Sequence, residues 1–350
     1  MGAKDKNLTS KRATISDVAL LAGVSRQTVS NLVNRRDHLM TLETRRRVER
    51  AMKQLDYRPH SLAQSLRSGR TSTLGFLILD EHPQFLADPL TDLMLAGLGD
   101  TARDRGYNLL IQAARPSGPS SQLWNPIIER RVDAVAVLLS GHRSLRRRHI
   151  KHLASHGLPF VVFDEQVKAE HGYSIGGTNE EASLALAAHL IEHGHTRIGF
   201  VAARVPWPVV EQRHAGYRRA LVEAGISPAA ELEVFEGEVE PRFGGEMVRK
   251  LLALRNPPTA IMATSDLLAA GVIQAVKQQG LSVPDNIAVT GFDDFNFSEL
   301  LEPPLTTARV PAYAMGQLAA QVLIDSLGGE GPREREIRMP VELCFRASTP

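Results

Sequence analysis

From residue 72 onward, short β-branched or aliphatic runs alternate with helical patterns, and this alternation restricts the fold more than any other feature of the chain. The strand candidates are 73–79 (TLGFLIL), 107–112 (YNLLIQ), 132–139 (VDAVAVLL), 158–164 (LPFVVFD), 197–203 (RIGFVAA), 231–237 (ELEVFEG), 259–265 (TAIMATS) and 287–294 (IAVTGFDD). Helical patterns such as 88–105, 180–193, 244–254 and 266–279 sit between them. Strands that alternate with helices of this length specify parallel, doubly wound α/β sheets covered on both faces. A break near residues 165–178 divides the candidates between two sheets. PPLTTARV then reads as a crossover, with a helix at 312–327 and a last strand at 336–346 free to serve different lobes. A chain of 350 residues, 43% of them hydrophobic, is long enough for a small head and a large two-lobed body.

The head begins with TISDVALLAGVSRQTVSNLVN. Thr14, with Asp17 three positions later, is a helix-start signature before the apolar residues Val18, Ala19, Leu21 and Ala22. Gly23 permits the left-handed backbone of a tight turn, and Ser25 can cap the next helix. In that second helix Val29, Leu32 and Val33 form one stripe, which points Arg26, Gln27, Ser30, Asn31 and Asn34 the other way. Arg, Gln and Asn on the open face of such a helix suit a reader of the DNA major groove, because they make paired hydrogen bonds to G and A edges. An ordinary solvated helical hairpin is the competing reading, and charge decides against it. Residues 1–70 hold 15 Lys and Arg against 6 Asp and Glu, while residues 71–350 hold 26 against 33. The overall charge of +2 therefore conceals a head of +9 on a body of −7, and a basic head is attracted to a phosphate backbone.

A third amphipathic helix (Val48, Ala51, Met52, Leu55) leads into YRPHSLAQSLRSGRT. Pro59 suits a first helical turn and Gly69 ends it, leaving roughly two turns, too short to persist alone in water. Leu66, beside Arg67 and Arg70, has the character of a minor-groove wedge. Taken alone, the segment is better explained as a plain linker whose leucines pack on the body. Ligands of parallel α/β sheets bind beyond the carboxyl ends of the strands. Here those positions are Asp80, Asp164, Ser265 with Asp266, and Asp293 with Asp294. Carboxylates converging on one cleft suit a polyhydroxylated ligand, since each oxygen accepts from two hydroxyls. An aspartate at a strand end can equally cap a helix, and that reading is preferred for Asp266 and Asp294.

The helix-turn-helix run, the stretch LETRRRVERAMKQLDYRPHSLAQSLRSGRTSTLGFLI, and then HLIEHGHTRIGFV, RHAGY, VPDNIAVTGFDD and PPLTT together resemble the lac-repressor/galactose-repressor family of bacterial transcription regulators along nearly the entire chain. The resemblance implies a periplasmic-binding-protein-like body of two lobes around a ligand cleft. It implies that Arg26, Gln27 and Asn31 face bases, and that Thr14, Ser25, Thr28, Ser30, Asn34 and His38 hold phosphates or the groove edge. Leu66 matches the family's leucine at the centre of a palindromic operator, where two subunits each supply one, so a homodimer is implied. The lac repressor has arginine where this chain has Asn31 and tyrosine where it has Arg26, so the operator half-sites should differ there. Arg213, just before HAGY, matches the family's effector-contacting arginine, Asp164 and Asp293 match further effector contacts, and Phe85 matches an aromatic at the cleft mouth. Trp207 is placed to stack on a sugar face. Ser265 departs from the family's usual asparagine, so that the pocket is locally wider or a water fills the gap, and 113–122 (AARPSGPSSQ) departs from its usual polar loop.

Other chemistries find less support. The single Cys344 excludes an internal disulfide and a cysteine-based zinc site. HLIEH (His189 to His193) matches the H-x-x-E-H zinc pattern, but it has no evident third ligand and its flanks fit the regulator family. Gly97 and Gly99 lack the third glycine of a dinucleotide loop and lie inside a helical pattern. No catalytic constellation stands out, so neither an enzyme nor a cofactor is expected. The polar start MGAKDKNLTSKR and the lack of a membrane-length apolar run point to a soluble cytoplasmic chain. No leucine heptads follow FRASTP, which favours a dimer over a tail-built tetramer. The expected organisation is a DNA-binding head at 1–58, a hinge at 59–71 and an effector-binding body at 72–350. Within the body, one lobe takes about 72–174 plus 308–330 and the other about 175–303 plus 333–350. The expected function is regulation of transcription, with repression the expected sense, by a sugar-like effector that controls affinity for operator DNA. The alternative is a cytoplasmic small-molecule-binding protein whose basic extension holds DNA without sequence preference.

Overall fold

The computed structural model describes residues 13–33, 37–57, 69–80, 86, 88–115, 121–204 and 207–350. It separates into two units, Met1–Thr71 and Ser72–Pro350. The first is built from α1 (Ile15–Ala22), α2 (Arg26–Val33) and α3 (Leu42–Gln54). The helix start at Thr14 is a reciprocal capping box: Thr14 N–H donates to Asp17 Oδ2 at 2.7 Å, and Asp17 N–H donates to Thr14 Oγ1 at 3.4 Å. Gly23 ends α1 at φ +62°, and Ser25 Oγ accepts from Thr28 N–H at 3.1 Å to start α2. Val18, Ala19, Ala22, Val29, Val48 and Ala51 form the core of the unit. Arg47 of α3 then donates to the carbonyls of Ala22 and Gly23, satisfying acceptors that the end of α1 leaves open. Leu21, expected on the buried face, is half-exposed instead.

The second unit follows the expected alternation. Its first part runs β1 (Thr73–Leu79), α4 (Pro89–Asp104), β2 (Asn108–Ala114), α5 (Ser121–Ile128), β3 (Ala134–Leu139), α6 (Arg143–Ala154), β4 (Phe160–Phe163) and β5 (Gly172–Gly177). Then come α7 (Asn179–Glu192), β6 (Ile198–Ala202), α8 (Pro208–Glu223), β7 (Glu233–Phe235), α9 (Pro241–Leu252), β8 (Ala260–Ala263), α10 (Asp266–Gln278) and β9 (Ala288–Thr290). The chain ends with β10 (Thr307–Arg309), α11 (Ala312–Gly328), β11 (Glu336–Met339) and β12 (Glu342–Cys344). The first lobe is a parallel six-stranded sheet in the order β11-β5-β4-β3-β1-β2, and the second is a parallel four-stranded sheet in the order β7-β6-β8-β9.

Two expectations need correction. Residues 172–177 fall inside the break that divided the sheets on sequence grounds, yet they form β5 of the first sheet. Their GYSIGG composition hides the strand because the glycines serve packing: a Cβ on Gly172 would lie 2.5 Å from the Phe160 ring. The expected strand 336–346 is two strands in two sheets, β11 beside β5 and β12 antiparallel to β10. The lobe boundary placing 333–350 wholly in the second lobe therefore fails at β11, whose pairing with β5 puts it in the first.

Glycines also decide how the helices pair. A Cβ on Gly97 of α4 would sit 2.0 Å from the carbonyl oxygen of Tyr313, and one on Gly316 of α11 would sit 2.0 Å from that of Met94. The two helices thus cross backbone to backbone, which accounts for Gly97; Gly99, whose Cβ would meet only a Leu109 methyl at 3.6 Å, takes no part in the crossing. The α9–α10 crossing is tighter still, with a Cβ on Gly271 only 1.7 Å from the Pro241 carbonyl oxygen.

These distances give opposite signs for two superficially similar substitutions. Gly271→Ala should destabilise by about 1–3 kcal/mol, because overpacking against backbone outweighs the gain in helix propensity. Gly328→Ala, at the end of α11 with nothing within 4 Å, should stabilise by up to about 1 kcal/mol. Urea unfolding of both variants checks the pair.

Candidate functional site

In the first unit, Arg26 and Gln27 are exposed near the start of α2, and Asn31 lies partly exposed one turn on. Gln27 Nε2 donates to Asn31 Oδ1 at 2.9 Å, so the two amides share one face of the helix. Thr14, Ser25 and His38 are exposed and Thr28 is half-buried. Ser30 is buried, contrary to expectation, because it lies three residues before Val33 and shares the inner side of the helix. Asn34, Leu66 and Phe85 lie outside the described residues.

In the second unit, α/β strand ends from both lobes converge on a cavity of about 520 Å³. Asp80 follows β1, Asp164 follows β4, Thr264 and Ser265 follow β8, and Asp293 follows β9, and all of them line it. Its apolar wall includes Leu90, Met94, Phe163, Trp207, Val210 and Leu267.

Arg213, on α8, is buried in the middle of this arrangement. Its Nε donates to Asn179 Oδ1 at 3.2 Å, Nη1 to the Thr264 carbonyl at 2.6 Å and Nη2 to Asp293 Oδ1 at 2.8 Å. Its guanidinium carbon lies 3.7 Å from the centre of the Phe292 ring. Asn179 then extends the network into the first lobe, since its Nδ2 donates to Asp164 Oδ1 at 3.2 Å, where Gly177 N–H also donates at 3.1 Å. Asp164 and Asp293 both adopt positive φ, +56° and +108°. Such backbone is costly outside glycine and recurs where side chains are held for binding. Burial pushes the Asp164 carboxyl up to about 6, against the hydrogen bond from Gly177 and the charge of Arg213. Burial also raises the Asp293 carboxyl despite its ion pair with Arg213.

The neighbouring aspartates have other work. Asp266 is buried under the strand ends and accepts from Phe295 N–H at 2.9 Å, Ser298 Oγ at 2.6 Å and Thr307 Oγ1 at 2.6 Å. It ties three segments of the second lobe together. The cap of α10 is Ser265, whose Oγ accepts from Leu268 N–H at 3.3 Å. Asp294 pairs with Arg309 at 2.8 Å and Arg346 at 2.7 Å. Asn179 was missed from sequence because β5 was missed. It stands two residues beyond that strand's carboxyl end, the same rule that found Asp164 and Asp293. His189 and His193, the zinc-like pair, meet Thr349 Oγ1 and the His189 carbonyl respectively. No helix among the described residues is long and apolar enough to cross a membrane.

Comparison with known proteins agrees with both halves of this architecture. Residues 14–60 match the family described as bacterial regulatory proteins, lacI family, and residues 187–349 match the periplasmic binding protein-like domain. The HTH-type transcriptional repressor PurR of Mannheimia succiniciproducens is 31% identical over 340 residues, spanning 96% of this chain and 98% of that relative. The crystal structure of the lac repressor dimer bound to operator and the anti-inducer ONPF has a TM-score of 0.84 at 26% identity, covering 97% of this chain and 99% of that one. The complex of the transcriptional regulator CelR with cellobiose has a TM-score of 0.71 at 30% identity, covering 96% and 100%. With a helix-turn-helix in its first unit, a lined cleft in its second and full-length likeness to repressors, the chain belongs to the LacI family of bacterial transcription regulators.

Proposed function

We propose that the protein represses transcription as a homodimer on a palindromic operator in the cytoplasm, and that an uncharged polyhydroxylated ligand in the cleft, a sugar or sugar derivative, sets its affinity for DNA. The observation that carries this reading is the convergence of Asp164, Arg213, Ser265 and Asp293 from both lobes on one cavity, in a chain whose head exposes Arg26 and Gln27. Carboxylates at strand ends and a guanidinium on α8 suit hydroxyl groups, and the apolar wall with Trp207 suits the face of a pyranose ring.

The charge of the lining narrows the class. Among the described residues of the lining, Asp80, Asp88, Asp164, Glu238, Glu240 and Asp293 face two guanidiniums, Arg213 and Arg242. Arg213 is already engaged on all three of its nitrogens, and Arg242 pairs with Glu240 at 2.8 Å. A phosphorylated or carboxylated sugar would enter against this field. Selection of bound fragments from genomic DNA, followed by titration of neutral and phosphorylated sugars against the recovered complex, tests the reading. Recovery of sequence-blind binding alone, with no response to any sugar, would sink it.

Two variants sharpen the test. Arg26→Ala or Gln27→Ala should each weaken binding to the recovered operator by about 1–3 kcal/mol while leaving non-specific affinity nearly unchanged. Competition with random-sequence duplex at fixed salt separates the two quantities.

Asp164→Asn should abolish the response to ligand yet not harm the fold, since asparagine tolerates φ +56° and keeps an acceptor for Gly177 and Asn179. With its carboxyl raised from 3.8 to about 6 in the folded state, Asp164 costs stability as pH rises, a penalty absent below about pH 3 and complete above about pH 7. The variant should therefore gain about 1–3 kcal/mol relative to the parent between those limits. Thermal unfolding of the ligand-free proteins across that range checks it.

A further inference from the structure

Three successive residues in the first turns of α8 address both lobes. Glu211 forms a two-pronged pair with Arg146 of α6, with Nη1 to Oε1 at 3.0 Å and Nη2 to Oε2 at 2.9 Å. Gln212 Nε2 donates to the Asp164 carbonyl at 3.0 Å. Arg213 then turns to Asp293 and the Thr264 carbonyl of its own lobe. Residues 146 and 164 belong to the first lobe and α8 to the second, so one helical turn carries two ties across the cleft and one within it.

The two halves of the ion pair differ in a way that suits a contact made and broken repeatedly. Arg146 is 1% exposed and also donates to Glu165 and to the Gly141 carbonyl, both on its own lobe. Glu211 is 46% exposed. When α8 withdraws, Arg146 keeps Glu165 and its carbonyl, so no buried charge is stranded, and Glu211 passes into water. The planar fork of the guanidinium gives the pair a fixed direction as well as attraction, which a lysine would not.

We propose that Arg146 and Glu211 form a latch between the lobes, and that Glu211 is a positioning residue that holds the first turn of α8, and with it Arg213, at the registration seen here. Ligand arrival and departure are then sensed as the closing or release of this pair. Its effect on DNA rests on the cleft being the effector site, but its coupling of the two lobes does not.

The test needs no ligand. Trp207 precedes α8 and lines the cavity, whereas Trp124, the other tryptophan, is buried in the first lobe and shielded from a solution quencher. Acrylamide quenching of the full-length protein thus reports the start of α8. Glu211→Lys should raise the quenching constant about twofold and Glu211→Gln less, at an unchanged thermal midpoint. Glu223→Lys, at the exposed far end of the same helix, should leave it at the parent value. Quenching in both Glu211 variants equal to the parent overturns the latch. If Glu211→Lys is poorly folded, the isosteric Glu211→Gln decides alone. Binding to the selected operator is measured on the same samples. Raised quenching with altered operator affinity supports latch and regulation together, and raised quenching with unaltered affinity keeps the latch while refuting the effector reading of the cleft.

Discussion

A buried guanidinium organises this molecule. Arg213 lies where the strand ends of two lobes meet, and its partners come from the start of α7, the end of β8 and the end of β9. A buried cation is tolerated only when its donors are matched, so the backbone around it is committed to matching them. Asp293 takes a positive φ to present its carboxylate, and Asn179 is held between Arg213 and Asp164. The constraint passes from the ion outward into the shape of the cleft. The same cation also lines the cavity, so the group that ties these segments together is part of the cleft wall.

Around that centre the body is assembled by close backbone approach. The pairs α4 with α11 and α9 with α10 cross at glycines, where even a methyl group would overlap a carbonyl oxygen. Tight crossings of this kind transmit displacement with little slack. They connect the helix that begins at Pro241, on the rim of the cavity, to the interior of the second lobe. The head follows a different economy: its described residues place three short α-helices around a handful of small apolar side chains, with Arg47 closing the end of α1. On the open side of its second helix it leaves Arg26 and Gln27 exposed and Asn31 partly so.

Much of this was legible beforehand, for identifiable reasons. β1 spans the residues expected of it, and the helices at 89–104, 179–192 and 266–278 fall within a few residues of their patterns. Helical periodicity and runs of β-branched residues are local properties, and local sequence suffices to show them. The rule that ligands gather beyond strand ends pointed to Asp80, Asp164, Ser265 and Asp293, which all line the cavity, because it needs only the strands. It failed where a strand was disguised. The glycines of GYSIGG make room for Phe160, Asp164 and Val341, and no local signal announces neighbours that arrive from elsewhere in the chain. Ser30 was misplaced for a related reason, since a small polar residue on the edge of an apolar stripe is buried or exposed according to what packs against it.

The sequence by itself determined the parts: a basic helix-turn-helix head, an acidic α/β body, two parallel sheets and the aspartates at their strand ends. These follow from periodicity, capping chemistry and net charge, all of which act within a few residues or over the whole chain at once. Only the tertiary structure decided which aspartate does what. Asp164 and Asp293 face the cavity, while Asp266 turns inward to three donors and Asp294 to two arginines. It also decided that β11 belongs to the first lobe and that Glu211 reaches Arg146 across the cleft. Those outcomes depend on partners distant in sequence, and a buried charge settles where folding brings it enough donors or an opposite charge.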